Sequence, residues 1–292
     1  MKNAIITLAT GREFSQTRGL QVFLKSIHEN VPSDIEIILF TNDMDENVQQ
    51  IVQAYEYKTH EVSVDNLRFL LIDRFLMFHK YLCTRDYDQV LLADCRDIYF
   101  QDDPFQYLTP NDTLILCAEG GKIYQNEWNV QDQLKCQDEL DPLYRQDLND
   151  LPIINAGFIL GRAETIRNLC LMIWLNTLRT QHKFTDQAAL NYIYHHLLTH
   201  DPTCKLLTPQ DVPYCATGQG ILQGWYPHEW RDGLLCHPPT GKPYTAYHQW
   251  NRVPEHKRAV LAETGLEIAK AGEPVMPEIR PMSFERATIS LS

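Results

Sequence analysis

Two rhythms of apolar and polar positions alternate along the first half of the chain. Short runs that are apolar at nearly every position lie at 4–10 (AIITLAT), 36–41 (EIILFT), 89–93 (QVLLA) and 113–118 (TLILCA). Their β-branched, uninterrupted character predicts strands buried on both faces. Between them the apolar period lengthens to three or four. Leu20, Phe23, Leu24 and Ile27 share one face of a helix ending near Asn30, with Ser15 as its candidate cap. A polar helix is predicted near 45–55. Over 66–82 an apolar stripe (Leu67, Leu71, Phe75, Phe78, Leu82) alternates with polar Asn66, Asp73 and Lys80, as in a helix laid against a sheet. Further on, 153–160 (IINAGFIL) reads as a strand, 163–179 and 186–199 as helices, and 255–262 as a last helix. After 200, Pro, Gly and aromatic residues signal loops and short strands.

Buried strands separated by helices define an α/β protein with a mostly parallel central sheet flanked by helices. Ligands of such sheets bind at the carboxyl ends of the strands. That directs attention to Thr10 and Gly11, to Asn42 and Asp43, and to Asp94 through Asp97. One domain is expected over 1–265, with a tail at 266–292. Within the domain, the polar and weakly periodic stretch 119–150 is expected to be an insertion, either functional, on the acceptor side, or a solvated excursion.

Composition narrows the function. The 292 residues are 44% apolar and 22% charged, enough to build a proper core, and the net charge is −12. An acidic total argues against nucleic acid and against anionic membrane surfaces as partners. It leaves room for a phosphate site in which a metal ion supplies the positive charge. No apolar run reaches 18 residues, so no transmembrane segment is expected, although peripheral association with a membrane stays compatible. The first apolar run is too short for a signal peptide. Eight cysteines without a C-x-x-C pair suggest reduced thiols and a cytoplasmic protein.

The segments that follow the strands carry the candidate chemistry. In VLLADCRDIYFQDDPF (90–105) a strand delivers Asp94 and Asp97 with Arg96 between them. Neighbouring carboxylates repel unless something positive joins them. Hard oxygen ligands of this kind suit Mg²⁺ or Mn²⁺, shared with substrate phosphates. The alternative is a turn in which Asp97 pairs with Arg96. In PIINAGFILG (152–161), Gly157 lets the backbone approach a ligand, and Asn155 both donates and accepts hydrogen bonds, as a sugar hydroxyl requires. Tight strand–helix packing would use the same small residues. In FTDQAALNYI (184–193), Thr185 or Asp186 is a candidate helix N-cap, and an aspartate there can also face a reacting centre. In GKPYTAYHQWNR (241–252), His248 is an acceptable Mn²⁺ ligand and Lys242 a candidate phosphate holder. His195, His196 and His200 share a helix but lack the H-E-x-x-H arrangement. Trp128, Trp225, Tyr226 and Trp230 are either an acceptor platform or packing residues.

Taken in order, four segments carry a family resemblance: TLATG in the first strand, VLLADCRD…QDDPF, NAGFILG with TDQAALNYI, and the late HQWNR. Over about residues 3–252 the chain resembles metal-dependent nucleotide-sugar glycosyltransferases of the GT-A fold, the glycogenin-like and related groups. The resemblance implies a single GT-A (Rossmann-like) domain, a nucleotide-diphosphate sugar donor with UDP favoured, and Mn²⁺ or Mg²⁺ as cofactor. It implies that the nucleotide lies along Leu8, Ala9, Thr10 and Asn42, and that Arg68 or Arg74 reaches the donor. It implies further that His248 joins Asp94 and Asp97 around the metal, and that Asn155, Asp186 and Gln187 surround the transferred sugar, with Gly157 beside the donor. One departure stands out. The usual signature is D-x-D, whereas here the carboxylates are spaced Asp94-Cys95-Arg96-Asp97.

The expected function is transfer of a hexose or pentose to a hydroxyl of a glycan, protein or small molecule. Inversion would use Asp186 as general base. Retention, which the resemblance favours, would use the departing phosphate instead, with Asp186 and Gln187 stabilising the sugar. Two other readings stay open: a non-catalytic nucleotide-sugar or carbohydrate binding protein, and a metal-dependent phosphohydrolase with Asp94 as nucleophile.

Overall fold

Successive side chains of each short apolar run point into opposite layers, which is why these strands show no polar alternation. The computed structural model describes residues 2–10, 18–42, 44, 46–62, 70–130, 150–178 and 185–266. In chain order the elements begin β1 (Asn3–Thr10), α1 (Arg18–Asn30), β2 (Glu36–Asn42), α2 (Glu46–Ala54), β3 (Lys58–Glu61), α3 (Leu70–Leu82), β4 (Gln89–Ala93) and β5 (Ile98–Phe100). They continue with β6 (Leu114–Lys122), β7 (Pro152–Arg162), α4 (Ala163–Asn176), α5 (Asp186–Ile193), β8 (Cys204–Leu207), β9 (Cys215–Thr217) and α6 (Gly218–Leu222). The last are β10 (Glu229–Arg231), β11 (Leu234–His237), β12 (Lys242–Pro243), β13 (Ala246–His248) and α7 (Pro254–Glu263).

The central sheet has seven strands in the order β3-β2-β1-β4-β7-β6-β8. All neighbours are parallel except β7, which runs antiparallel to both β4 and β6. This is the mostly parallel α/β arrangement expected of a single Rossmann-like GT-A domain. Ile5, Leu39, Leu91 and Ile115 face the layer that holds α1 and α2. Their neighbours Ile6, Ile38, Leu92 and Leu116 face α3, α4 and α5. Two small sheets, β5-β13-β9 and β10-β11-β12, stand beyond the strand ends. They pack through Val22, Tyr99, Tyr247 and Trp250.

Several boundaries differ from the sequence expectation. The α3 helix is described from Leu70; residues 66–69, with Leu67 and Arg68, lie outside the described residues, as does Ser15. Helix α5 closes at Ile193 and widens into a looser turn over Tyr194–Leu198, rather than running to 199 as one α-helix. The polar stretch from 119 begins as strand: β6 continues to Lys122, opposite Pro152 of β7, across an irregular register after Ala118. Polar side chains belong there because the strand has left the apolar layers and faces a cleft. The remainder, 131–149, and the tail beyond 266 lie outside the described residues. Among the described residues no helix is long and apolar enough to cross a membrane, and seven cysteines are free thiols.

Candidate active site

The site forms where β4 ends. Because β7 is antiparallel, it enters the sheet at the edge where β4 leaves it. Ala93 pairs with Phe158, and Asp94 N donates to Gly157 O at 2.9 Å. The chain then turns into β5, which pairs antiparallel with β13 and sets His248 opposite Ile98. Gln249 N donates to Asp97 O at 2.6 Å, closing the corner. Gln249 itself adopts a left-handed backbone (φ 59°), a conformation held by surrounding structure at a local cost of roughly 1 kcal/mol or more. Gly218 makes the turn possible: a Cβ there would stand 2.1 Å from Gln249 O.

Asp94, Asp97 and His248 converge. His248 Nε2 lies 3.3 Å from Asp97 Oδ1 and 3.9 Å from Asp94 Oδ2. One ligand atom from each falls within 4.8 Å of the others. Gly157 leaves the space they occupy, since a Cβ would sit 2.6 Å from His248 Cε1 and 2.7 Å from Asp94 Oδ2. Burial works against a charged imidazole here, but Asp97 and Asp94 outweigh it and raise His248 to about 9. The imidazolium therefore holds the two carboxylates together, and a metal would take over that role by displacing its proton. Two hard carboxylates and one imidazole fit a divalent cation. The turn in which Asp97 answers only a local partner is set aside, because Asp97 faces His248.

A second group adjoins the first. Arg74, nearly buried on α3, donates Nη1 to Asp94 Oδ1 at 2.5 Å and Nη2 to Asp186 Oδ2 at 2.8 Å. Burial disfavours a charged Asp94, yet Arg74 and His248 hold its carboxyl below the usual range. Asp186 moves the other way: burial and the nearby Asp94 charge outweigh Arg74 and raise it. Thr185 occupies the N-cap position of α5 without a side-chain cap bond. Asp186 is not the cap either: it stands in the first turn and spends its carboxylate on Arg74.

Behind this pair lies an amide network. Asn155 Oδ1 accepts from Gly157 N at 2.8 Å, and its Nδ2 donates to Glu119 Oε1 at 2.9 Å. Gln187 Nε2 donates to Asn129 Oδ1 at 2.8 Å and reaches Glu119 Oε1 at 3.5 Å. Glu119 is 3% exposed, and burial raises its pKa. It escaped the sequence reading because it follows an apolar strand without a motif of its own. Its place directly after the apolar run LILCA, where the strand turns polar, was the available signal.

Arg74, Asp94, Asp97, Glu119, Asp186, Gln187 and His248 border one cavity of about 770 Å³. Leu8 and Gly157 are on its wall, while Asn155 is buried just behind. Ala9 and Thr10 are buried at the end of β1, and Asn42 lies opposite Thr10 at the end of β2; none of the three reaches the cavity wall. Lys242 is not brought to the site. It is exposed on β12, paired opposite His237, and the chain changes sheets between it and His248. Besides Arg74 and His248, Arg96 and Arg252 are basic groups on the wall, with Arg252 Nη1 donating to Gln219 Oε1 at 3.2 Å. Of the four aromatic candidates, only Trp128 lines the cavity. Trp225 lies against Gly121, Tyr226 is buried and bonds Thr217, and Trp230 stacks on His256. His195 bonds Pro152 O at 3.0 Å, and His196 packs on Tyr192.

A mostly parallel α/β sheet with an acidic pair and an imidazole at its carboxyl edge is compatible with a nucleotide-sugar transferase. The sequence profile of the nucleotide-diphospho-sugar transferase family matches residues 48–243. The chain belongs to that family. No individual curated protein matches it significantly.

Proposed function

We propose that the protein transfers a sugar from a nucleotide-diphosphate sugar, UDP-linked by preference, to an acceptor hydroxyl, with a divalent metal and with retention at the anomeric carbon. The observation that carries this reading is the Asp94–Asp97–His248 cluster around Gly157 at the end of β4. A bound metal would neutralise charge on the departing diphosphate. Asp94, Asp97 and His248 would hold it. Arg96 and Arg252 would grip phosphate oxygens from the wall. Leu8 would contribute apolar contact near the end of β1, with Ala9, Thr10 and Asn42 setting the strand ends beneath the nucleotide. Arg68 or Arg74 would reach the donor.

Retention is supported by the state of Asp186. Arg74 Nη2 holds its Oδ2 at 2.8 Å, so that oxygen is engaged and not offered to an acceptor hydroxyl. In the retaining reaction the C1–O bond to the phosphate breaks, and the acceptor oxygen bonds C1 from the same face. The acceptor's proton passes to the departing phosphate oxygen. Asp186 and Gln187 then stabilise positive charge developing on the sugar, and Asn155 orients its hydroxyls.

The test is nucleotide release from a panel of nucleotide sugars with Mn²⁺ and again with EDTA, alongside calorimetry of the free nucleotide diphosphates. Metal-dependent release from one donor is the expected result. If no nucleotide is released and none binds in the presence of Mn²⁺, the transferase reading fails.

A further inference from the structure

Strand β6 loses its register with β7 just where it reaches the cavity. Ala118 pairs with Ile154 and Lys122 with Pro152, so four steps along β6 answer two along β7. Extra residues of this kind re-aim side chains, and they gather beside active sites. Gly120 takes the bend with φ at 95°, and a Cβ there would stand 2.6 Å from the Tyr226 ring. The neighbouring backbone is pinned as well. Thr217 Oγ1 donates to Glu119 O at 3.4 Å, and a Cβ on Gly220 would stand 2.6 Å from the same oxygen. The irregularity sets the buried carboxyl of Glu119 on the cavity wall.

From Glu119 a chain of hydrogen bonds runs to the acidic loop. Asn155 Nδ2 donates to Glu119 Oε1 at 2.9 Å, Gly157 N donates to Asn155 Oδ1 at 2.8 Å, and Asp94 N donates to Gly157 O at 2.9 Å. A branch leaves the same carboxylate oxygen: Gln187 Nε2 reaches it at 3.5 Å, and Gln187 Oε1 accepts from Ala156 N at 3.4 Å. The two ends of an amide side chain have nearly the same shape, so its partners decide which end is oxygen. Gly157 N–H calls for the oxygen of Asn155, and Glu119 calls for its nitrogen. Without Glu119 the buried NH₂ of Asn155 loses this acceptor, and turning toward another pulls its oxygen off Gly157. We propose that Glu119 is a positioning residue, which holds the Asn155 amide and through Gly157 the Asp94 backbone in the setting a metal ion requires. This rests on the metal reading of the Asp94–Asp97–His248 cluster and adds the residue that steadies it. Acting through such a chain, Glu119 contributes an acceptor oxygen at a fixed place, not a net charge.

The experiment uses the full chain. Mn²⁺ affinity is measured by calorimetry, and amide hydrogen exchange is followed by NMR in the metal-free protein. Glu119→Leu should weaken Mn²⁺ binding about tenfold or more. It should also speed exchange at the Gly157 and Asp94 amides while those of β1 stay protected. Glu119→Gln keeps an acceptor oxygen at the same reach and should restore most of both. Asn155→Ala, with Glu119 in place, should cost about as much as Glu119→Leu. In that background Glu119→Leu should add little, because the chain is already cut. Additive losses overturn the proposal, as does a Glu119→Gln variant as poor as Glu119→Leu, which would mark charge as the contribution. Should Glu119→Leu fail to fold, unchanged Mn²⁺ binding in Asn155→Ala overturns it equally. The two readings fail separately. Mn²⁺ binding that is alike in wild type and all variants removes the role of Glu119 and leaves the metal site. No Mn²⁺ binding by the wild type, with the exchange effects present, removes the metal and leaves Glu119 positioning Asp94.

Discussion

A single added methyl group at Gly157 would collide with two of the three metal-capable side chains. The Cβ positions of 2.6 Å from His248 Cε1 and 2.7 Å from Asp94 Oδ2 leave no room without displacing them. Gly157→Ala should therefore weaken Mn²⁺ binding about 10- to 100-fold, the range seen when groups that orient metal ligands are disturbed. Calorimetry with Mn²⁺ checks it. Asp97→Asn keeps the shape but removes the charge that faces His248. Metal-dependent nucleotide release should fall at least about 100-fold. Full activity in this variant would remove Asp97 from the site. At this scale the residue types in DCRD, NAG and HQW already signalled their chemistry. That Asp97 faces His248, and that Asp186 answers Arg74, depends on distances no spacing rule supplies.

Between elements, the helix under the acidic loop matters as much as the loop. Gly19 of α1 lies against the backbone of Arg96, where a Cβ would stand 1.8 Å from Arg96 O. A backbone carbonyl cannot swing aside as a side chain end can. Gly19→Ala should push the 94–97 turn off α1, costing roughly 1–3 kcal/mol of stability and lowering metal affinity together with it. Denaturant titration and Mn²⁺ calorimetry on the same variant test both halves. The elements themselves were largely legible. Four two-sided apolar runs became β1, β2, β4 and β6, and the stripe with Phe75 and Phe78 became α3. The antiparallel sense of β7 was not legible, because a strand buried on both faces reads the same in either direction.

Across the whole molecule, the far edge of the sheet is tied by ionic contacts that acid should undo. Glu36 accepts Lys2 at 2.6 Å, Lys58 at 2.8 Å and the Tyr87 hydroxyl at 2.9 Å, linking β1, β2 and β3 to the segment before β4. Burial alone would raise its pKa, but these partners outweigh it and bring Glu36 down to about 2. A carboxylate with a depressed pKa stabilises the fold fully above its ordinary value near 4.5 and loses that contribution as pH falls toward 2. Because both lysines are more than half exposed, the contribution is on the order of 2 kcal/mol. Glu36→Gln should lower the melting temperature at pH 7, and its deficit against wild type should shrink steadily below pH 4.5. A deficit independent of pH would mean that packing, not charge, is lost.

The sequence by itself determined the layers, because burial on both faces of a strand, or on one stripe of a helix, is written in local periodicity. It also determined the kinds of chemistry on offer, because carboxylates, amides and an imidazole declare their chemistry wherever they stand. Only the tertiary structure decided which of them meet. His248 reaches Asp94 and Asp97 through the pairing of β13 with β5, Lys242 is left on a different sheet, and Glu119 faces the cleft from within β6. The physical reason is range: periodicity reports a residue's neighbours within a few positions, whereas an active site is assembled from strand ends that sheet pairing brings together from distant parts of the chain.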